Sequence, residues 1–103
     1  MSQPVKLESS TSLSQADLHA IALLTERVTE LDGVRPLSEQ VMLSLLSNTG
    51  TPTEHICAWQ GARLVGYANL LRVNGADAAS VEIAVDDQGR RLGAAGELLD
   101  QAL

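Results

Sequence analysis

The sequence contains no Phe, one Trp and one Tyr, so aromatic residues make up only 2% of its 103 positions. Any core must be assembled from Leu, Val, Ile and Ala, each large side chain contributing roughly 1.5–3 kcal/mol when fully buried. At this length such a core has a narrow margin. Cysteine is nearly absent: Cys57 alone excludes an internal disulfide and a cysteine-based zinc cluster, and no metal is expected. A lone thiol suits a reducing compartment, for which the cytoplasm is the default. Basic residues are scarce too. Seven Lys and Arg against thirteen Asp and Glu give a formal net charge of -6 and a pI near 4.6, which argues against a nucleic-acid partner, because neutralising phosphates requires a basic face. Long apolar runs are also missing. Ala20 to Leu24 falls far short of the ~20 residues of a membrane helix, and no basic segment followed by an apolar one opens the chain, so no membrane partner is expected.

What is present is a globular composition, 45% hydrophobic and 19% charged, with room for one small domain over residues 1–103. Val5 to Glu8 reads as a short strand, followed by Ser9 to Ser14, a turn rich in helix-capping residues. Leu18, Ile21, Ala22, Leu24, Val28 and Leu31 recur at helical spacing over about 14–31, with Asp17, Glu26, Arg27 and Glu30 on the outer face. Asp32 to Pro36 is a linker, and Ser38 caps a second helix over about 38–47 that carries Val41, Met42, Leu45 and Leu46 on one side, stopped by Asn48 to Pro52. Two strands, about 54–59 and 63–73, form a hairpin around Gln60-Gly61-Ala62. After the turn Asn74 to Asp77, a strand over about 78–86 alternates Ala79, Val81, Ile83 and Val85 with Ser80, Glu82, Ala84 and Asp86. Asp87 to Leu92 is expected to be a polar connection. Gly93 then opens a helix over about 93–103, with Leu98, Leu99, Ala102 and Leu103 as its buried side. The order predicts an α+β fold, helices packed on a mostly antiparallel sheet. The last helix ends on apolar residues without a C-terminal cap, so the chain is expected to be cut off there.

The segment from Val81 to Gly96 concentrates the chemistry: a strand, a basic glycine-containing turn, and a helix that begins with tiny residues. The first N–H groups of a helix lack intrahelical acceptors, and the helix dipole adds partial positive charge, so a phosphate is favoured there by ~0.3–2 kcal/mol before any side chain acts. Gly93, Ala94, Ala95 and Gly96 keep bulk away, and Arg90 and Arg91 supply cations. Two better-known phosphate motifs do not fit. A P-loop needs Lys and then Ser or Thr at the helix start, where this chain has Ala94-Ala95 after Gly93. A dinucleotide fingerprint needs glycines two and then three apart, whereas Gly89, Gly93 and Gly96 are four and three apart.

Arg90, Gly93 and Ala95 match the acyl-CoA signature of the GNAT family of N-acyltransferases, which is Gln or Arg, two residues, Gly, one residue, then Gly or Ala. Glu82 to Val85 resembles the family's fourth strand and Leu64 to Leu70 its third. The resemblance narrows further. Asp32-Gly33-Val34-Arg35-Pro36-Leu37-Ser38-Glu39-Gln40, Thr53-Glu54-His55 and Gly66-Tyr67-Ala68-Asn69-Leu70 are similar, in that order, to the first domain of actinobacterial mycothiol synthases. That family implies a partial GNAT fold and acetyl-CoA as co-substrate. Its acceptor is a small thiol-containing amine, a cysteinyl glucosaminyl-inositol, and a second GNAT domain is credited with the catalysis. Carried over by position, Ile83, Ala84, Val85 and Arg90 or Arg91 through Leu92, Gly93, Ala94, Ala95 and Gly96 would bind acetyl-CoA, and Glu39 would contact the acceptor. Leu92 departs from the family, which more often has a third basic residue there. The family's fifth strand would begin after Leu103, so weak binding and poor catalysis are expected of this chain alone. The competing expectations are a non-catalytic lobe that binds CoA or supports a partner domain, and an inactive fragment.

Single residues admit a sharp and a plain reading. Glu82 stands where a general base could take a proton from an attacking amine, or is a strand carboxylate held by solvent or an ion pair; the plain reading is favoured here. His55 and Cys57 share a strand face, but no orienting acid is identifiable and direct acyl transfer needs no covalent enzyme intermediate, so both read as core or edge residues. Trp59 and Tyr67 read as packing residues. Glu39, apart from the resemblance, is a first-turn acid favoured by the helix dipole.

Overall fold

Four segments of alternating residues hydrogen-bond into one antiparallel sheet, as a computed structural model shows for residues 4–47, 53–71 and 80–102. The strands are β1 (Lys6–Ser10), β2 (Thr53–Gln60), β3 (Arg63–Leu71) and β4 (Ser80–Val85), in that spatial order. β1 lies later than the expected Val5 to Glu8, because the ladder with β2 sets its ends: Lys6 faces Trp59 and Ser10 faces His55. The turn between β2 and β3 is Gly61-Ala62, with Gly61 at φ 61, a left-handed conformation that glycine adopts without a Cβ penalty. The expected end of the third strand at Val73, the turn Asn74 to Asp77, the helix stop at Asn48 to Pro52 and Leu103 lie outside the described residues, as does the side chain of Leu46.

Helices cover both faces of the sheet. α1 (Gln15–Asp32) starts with a capping box: the Ser14 hydroxyl accepts from the Asp17 N–H at 3.0 Å and the Asp17 carboxylate accepts from the Ser14 N–H at 3.3 Å. It ends at Gly33, whose φ of 77 lets its N–H reach the Thr29 carbonyl at 2.8 Å. Its buried stripe is Ile21, Leu24, Thr25 and Val28. Ala22 and Leu31, expected on that stripe, are exposed. Arg27, expected on the outer face, instead folds its long side chain inward to reach the sheet. α2 (Glu39–Ser47) buries Leu45, half-buries Val41 and Met42, and starts where the Ser38 hydroxyl accepts from the Val41 N–H at 3.2 Å. Together with Leu37, these residues pack on Cys57, Leu64, Tyr67 and Ala84.

The opposite face of the sheet presents Ile56, Ala58, Ala68, Leu70 and Val85, and is covered by Ala94, Leu98 and Ala102 of α4 (Ala94–Ala102). Leu99 is 44% exposed and does not join that buried side as expected. Gly66 lets α4 lie close, since a Cβ there would sit 3.0 Å from Leu98 Cδ1.

The stretch expected to be a polar connection is a one-turn helix, α3 (Asp87–Arg91). Asp86 caps it, its carboxylate accepting from the Gly89 N–H at 2.8 Å. This helix seats on an irregularity of β3. Ala58 faces Gly66 while Trp59 faces Leu64, leaving Val65 without a partner opposite. The Val65 carbonyl accepts from the Asp86 N–H at 3.0 Å instead. Gly89 lies against that same carbonyl: a Cβ would fall 2.5 Å from Val65 O and 2.7 Å from Val85 Cγ1. Backbone cannot yield as a flexible side chain can, so Gly89→Ala is expected to destabilise the fold by about 1–3 kcal/mol. Urea unfolding is the check; an unchanged midpoint would show that α3 can shift freely.

Candidate functional site

Where β4 ends, the chain makes two short steps before α4, and both are fixed by hydrogen bonds. The Arg90 N–H donates to the Asp86 carbonyl at 2.9 Å, the Leu92 N–H forks between the Gln88 and Gly89 carbonyls at 3.2 Å each, and the Gly93 N–H donates to the Arg90 carbonyl at 3.3 Å. Gly93 turns the chain with φ 74. Helix α4 therefore begins at Ala94, one residue later than expected, and the first amide of its regular ladder is Glu97, which donates to the Gly93 carbonyl at 3.3 Å. The N–H groups of Ala94, Ala95 and Gly96 precede that ladder, where an α-helix offers no acceptor, and among the described residues no side chain caps them. Added Cβ atoms at Gly93 and Gly96 would meet nothing within 4 Å, so the chain is uncrowded on the sides where those two residues would carry side chains.

The carboxylate behind this loop is buried. Asp86, 2% exposed, accepts from Gly89 N–H with one oxygen and with the other from Arg27 Nε at 3.3 Å and Arg63 Nη2 at 3.1 Å. Arg27 Nη2 continues to the Leu64 carbonyl at 2.6 Å. Arg90, although its side chain is 44% exposed, is also tied back to the fold. Its Nε donates to the Val85 carbonyl at 3.0 Å, and its two terminal nitrogens grip both carboxylate oxygens of Asp32 at 3.0 and 2.6 Å. That fork holds the Asp32 carboxyl below the usual carboxylate range, chiefly by hydrogen bonding, and raises the Arg90 guanidinium above its own. Arg91 points outward, 78% exposed, with a 2.9 Å pair to Asp87 one turn away. Leu92 is half-buried. Ile83, Ala84 and Val85 pair with Ala68, Tyr67 and Gly66 of β3, and among the described residues β4 has a sheet neighbour on that side only.

Glu82 and Glu39 lie away from the loop, on the face covered by α1 and α2. The Glu82 carboxylate accepts from the Ser38 N–H at 2.6 Å and the Ser38 hydroxyl at 2.8 Å, fastening the start of α2 to β4. Glu39 is the exposed first residue of that helix. Beside them, Gln40, Ser44, Thr53, Asn69 and Glu82 surround a recess of about 100 Å³. Deeper in, Tyr67 accepts from Asn69 Nδ2 at 2.9 Å and lies 2.7 Å from His55 Nδ1. With Asn69 donating, the Tyr67 hydroxyl gives its own proton to His55, leaving Nδ1 as the acceptor. Burial raises the Tyr67 pKa and lowers that of His55. Burial, with Asp17 and Glu8 nearby, pushes the Cys57 thiol up to about 12, so it is not a nucleophile near neutrality.

The sequence reading did not single out Asp86, Asp32, Arg27 or Arg63. Only one local signal was available: Asp86 precedes Gly89 by the three residues that an N-cap spans. The partners come from α1 and from the β2–β3 hairpin, and no spacing encodes their approach.

His55 gives a pH dependence with a defined sign. Burial holds its folded pKa below the ordinary value of 6.5, so the fold favours neutral imidazole and the unfolded chain binds the proton more readily. The stabilisation is complete above about pH 6.5 and is lost as pH falls below it. Unfolding midpoints in urea should therefore decline from pH 7.5 to pH 5.5, and His55→Asn should flatten that decline. An equal slope in the variant would assign the pH dependence elsewhere.

No family model matches the chain. Individual proteins do. The chain is 35% identical over its whole length to the mycothiol acetyltransferase of Kytococcus sedentarius, of which it covers 32%. It is 39% identical over 78% of its length to that of Mycobacterium marinum, covering 25%, and 36% identical over 84% to that of Catenulispora acidiphila, covering 31%. It thus spans about a quarter to a third of the length of these curated relatives. Taken with the four-stranded antiparallel sheet, its flanking helices and the glycine-containing turn after β4, these matches make the chain a relative of the mycothiol acetyltransferases that carries part of a GNAT-like domain.

Proposed function

We propose that this chain is the cofactor-holding part of an acetyl-CoA-dependent N-acetyltransferase domain, and that the pyrophosphate of acetyl-CoA sits on the N–H groups of Ala94, Ala95 and Gly96. The observation that carries the reading is the helix start itself: amides ahead of the helical ladder, no side-chain cap among the described residues, and no crowding where Gly93 and Gly96 would carry side chains. A diphosphate fits such a surface, because oxygen acceptors satisfy the orphan donors and the dipole favours their charge. Arg91, exposed and paired only across one helical turn in the bonds described, can turn toward the phosphate. The edge of β4 that has no sheet neighbour among the described residues, at Ile83, Ala84 and Val85, is where the pantetheine arm would bond to backbone. The co-substrate would supply an activated acetyl thioester.

The acceptor would be a small thiol-containing amine, the cysteinyl glucosaminyl-inositol that the family resemblance implies, approaching from the α2 side with Glu39 as a contact. A second GNAT domain is expected as partner. One observation favours a non-catalytic, CoA-binding role within such an enzyme: the Glu82 carboxylate, the candidate base, already accepts two hydrogen bonds from Ser38. In that arrangement both carboxylate oxygens of Glu82 are engaged by Ser38 and serve to hold α2.

Gly96→Glu separates binding from folding. At the third position of α4, a carboxylate is favoured by the dipole and can fold back on the amides that the phosphate would use. Calorimetric titration of acetyl-CoA should show saturable binding by the natural chain and at least about tenfold weaker binding by Gly96→Glu, whose urea stability should be equal or higher. No binding by the folded natural chain, or equal binding by the variant, would refute the loop as the pyrophosphate site.

A further inference from the structure

Asp32 lies at the C-terminal end of α1, remote in sequence from the loop, yet its carboxylate takes both terminal nitrogens of Arg90. With Nε on the Val85 carbonyl, every guanidinium nitrogen of Arg90 has a partner within the fold. A two-pronged guanidinium–carboxylate pair fixes orientation as well as distance. The Arg90 carbonyl in turn receives the Gly93 N–H, at the point where the chain turns into α4. A continuous line of bonds therefore runs from α1 through Arg90 to Gly93, the residue before α4. The connector leaving α1 returns to the same strand at Ser38, which is fastened to Glu82. To serve as a phosphate ligand, Arg90 would have to abandon both Asp32 and the Val85 carbonyl.

We propose that Asp32 is a positioning residue for the pyrophosphate loop, acting through Arg90 to hold the N-terminal amides of α4 in the orientation that accepts the anion. Arg90 is then a strut, and Arg91 is the cation that meets phosphate. This rests on the reading of the loop as the CoA site. The sign of one substitution tells positioning from simple electrostatics. Asp32 is an acid near an anion site, so removing its charge without disturbing the loop would strengthen acetyl-CoA binding; removing a strut weakens it.

The test uses the 103-residue chain with Asp32→Asn, Arg90→Gln and the double variant. Asp32 is exposed, so folding should survive the change. Titration with acetyl-CoA should give about fivefold weaker binding for each single variant and no further loss in the double, as expected when both act through one pair. Without ligand, hydrogen exchange at the Leu92, Gly93 and Glu97 amides should quicken in Asp32→Asn while β2 and β3 amides stay unchanged. Equal or tighter acetyl-CoA binding by Asp32→Asn, or a larger loss in Arg90→Gln than in Asp32→Asn, would overturn the proposal. Unchanged exchange at those three amides would overturn it even if the natural chain bound no acetyl-CoA, an outcome that would separately refute the loop as a CoA site.

Discussion

The buried carboxylate of Asp86 joins three parts of the molecule: α1, β3 and its own junction between β4 and α3. It receives Arg27 from α1, Arg63 from the start of β3 and the Gly89 amide of α3, while its own N–H is held by the Val65 carbonyl. A carboxylate 2% exposed is tolerable only because both oxygens are occupied and two guanidinium groups offset its charge. That requirement shapes its surroundings. Val65 must be left unpaired to offer its carbonyl, which requires the irregular pairing at Ala58 and Trp59, and Gly89 must lack a Cβ to lie on that carbonyl. The direction in which the chain leaves β4, and with it the start of α4, follows from this arrangement.

The two faces of the sheet divide the chemistry. On the α4 side is a helix start of small residues with no side-chain cap among the described residues. On the α1 and α2 side is a small recess bounded by Glu82, Val41 and Leu71, with the Tyr67, His55 and Asn69 network beneath it. β4 belongs to both, since Val85 packs with Ala94 and Leu98 while Glu82 fastens Ser38.

Much of the framework was legible because it obeys short-range rules. The alternation from Val81 to Val85 gave β4 and its faces, and the capping residues of Ser9 to Ser14 marked the approach to α1. The hairpin turn followed from Gly61. What was illegible depends on reach across the fold. Arg27 sits among polar helix residues and looks solvated, but its side chain is long enough to find Asp86. Arg90 looks like a phosphate ligand, being basic and next to glycine, but Asp32 lies where only the packing of α1 on the sheet could bring it. The one-turn helix at Asp87–Arg91 is too short to show periodicity, so its glycine and charges resembled a loop. Leu31 and Leu99 fit the helical spacing of their neighbours yet are 48% and 44% exposed, since they fall at the margins of their apolar stripes.

The central claim, that the amides after Gly93 hold the pyrophosphate of acetyl-CoA, is tested most directly by following backbone amide resonances of the isotope-labelled chain during an acetyl-CoA titration. The account predicts that the largest saturable shifts fall on Arg91 to Gly96, with those of His55 and Asn69 nearly unmoved. Saturable shifts centred on the Glu82 recess, with Ala94, Ala95 and Gly96 unchanged, would contradict it.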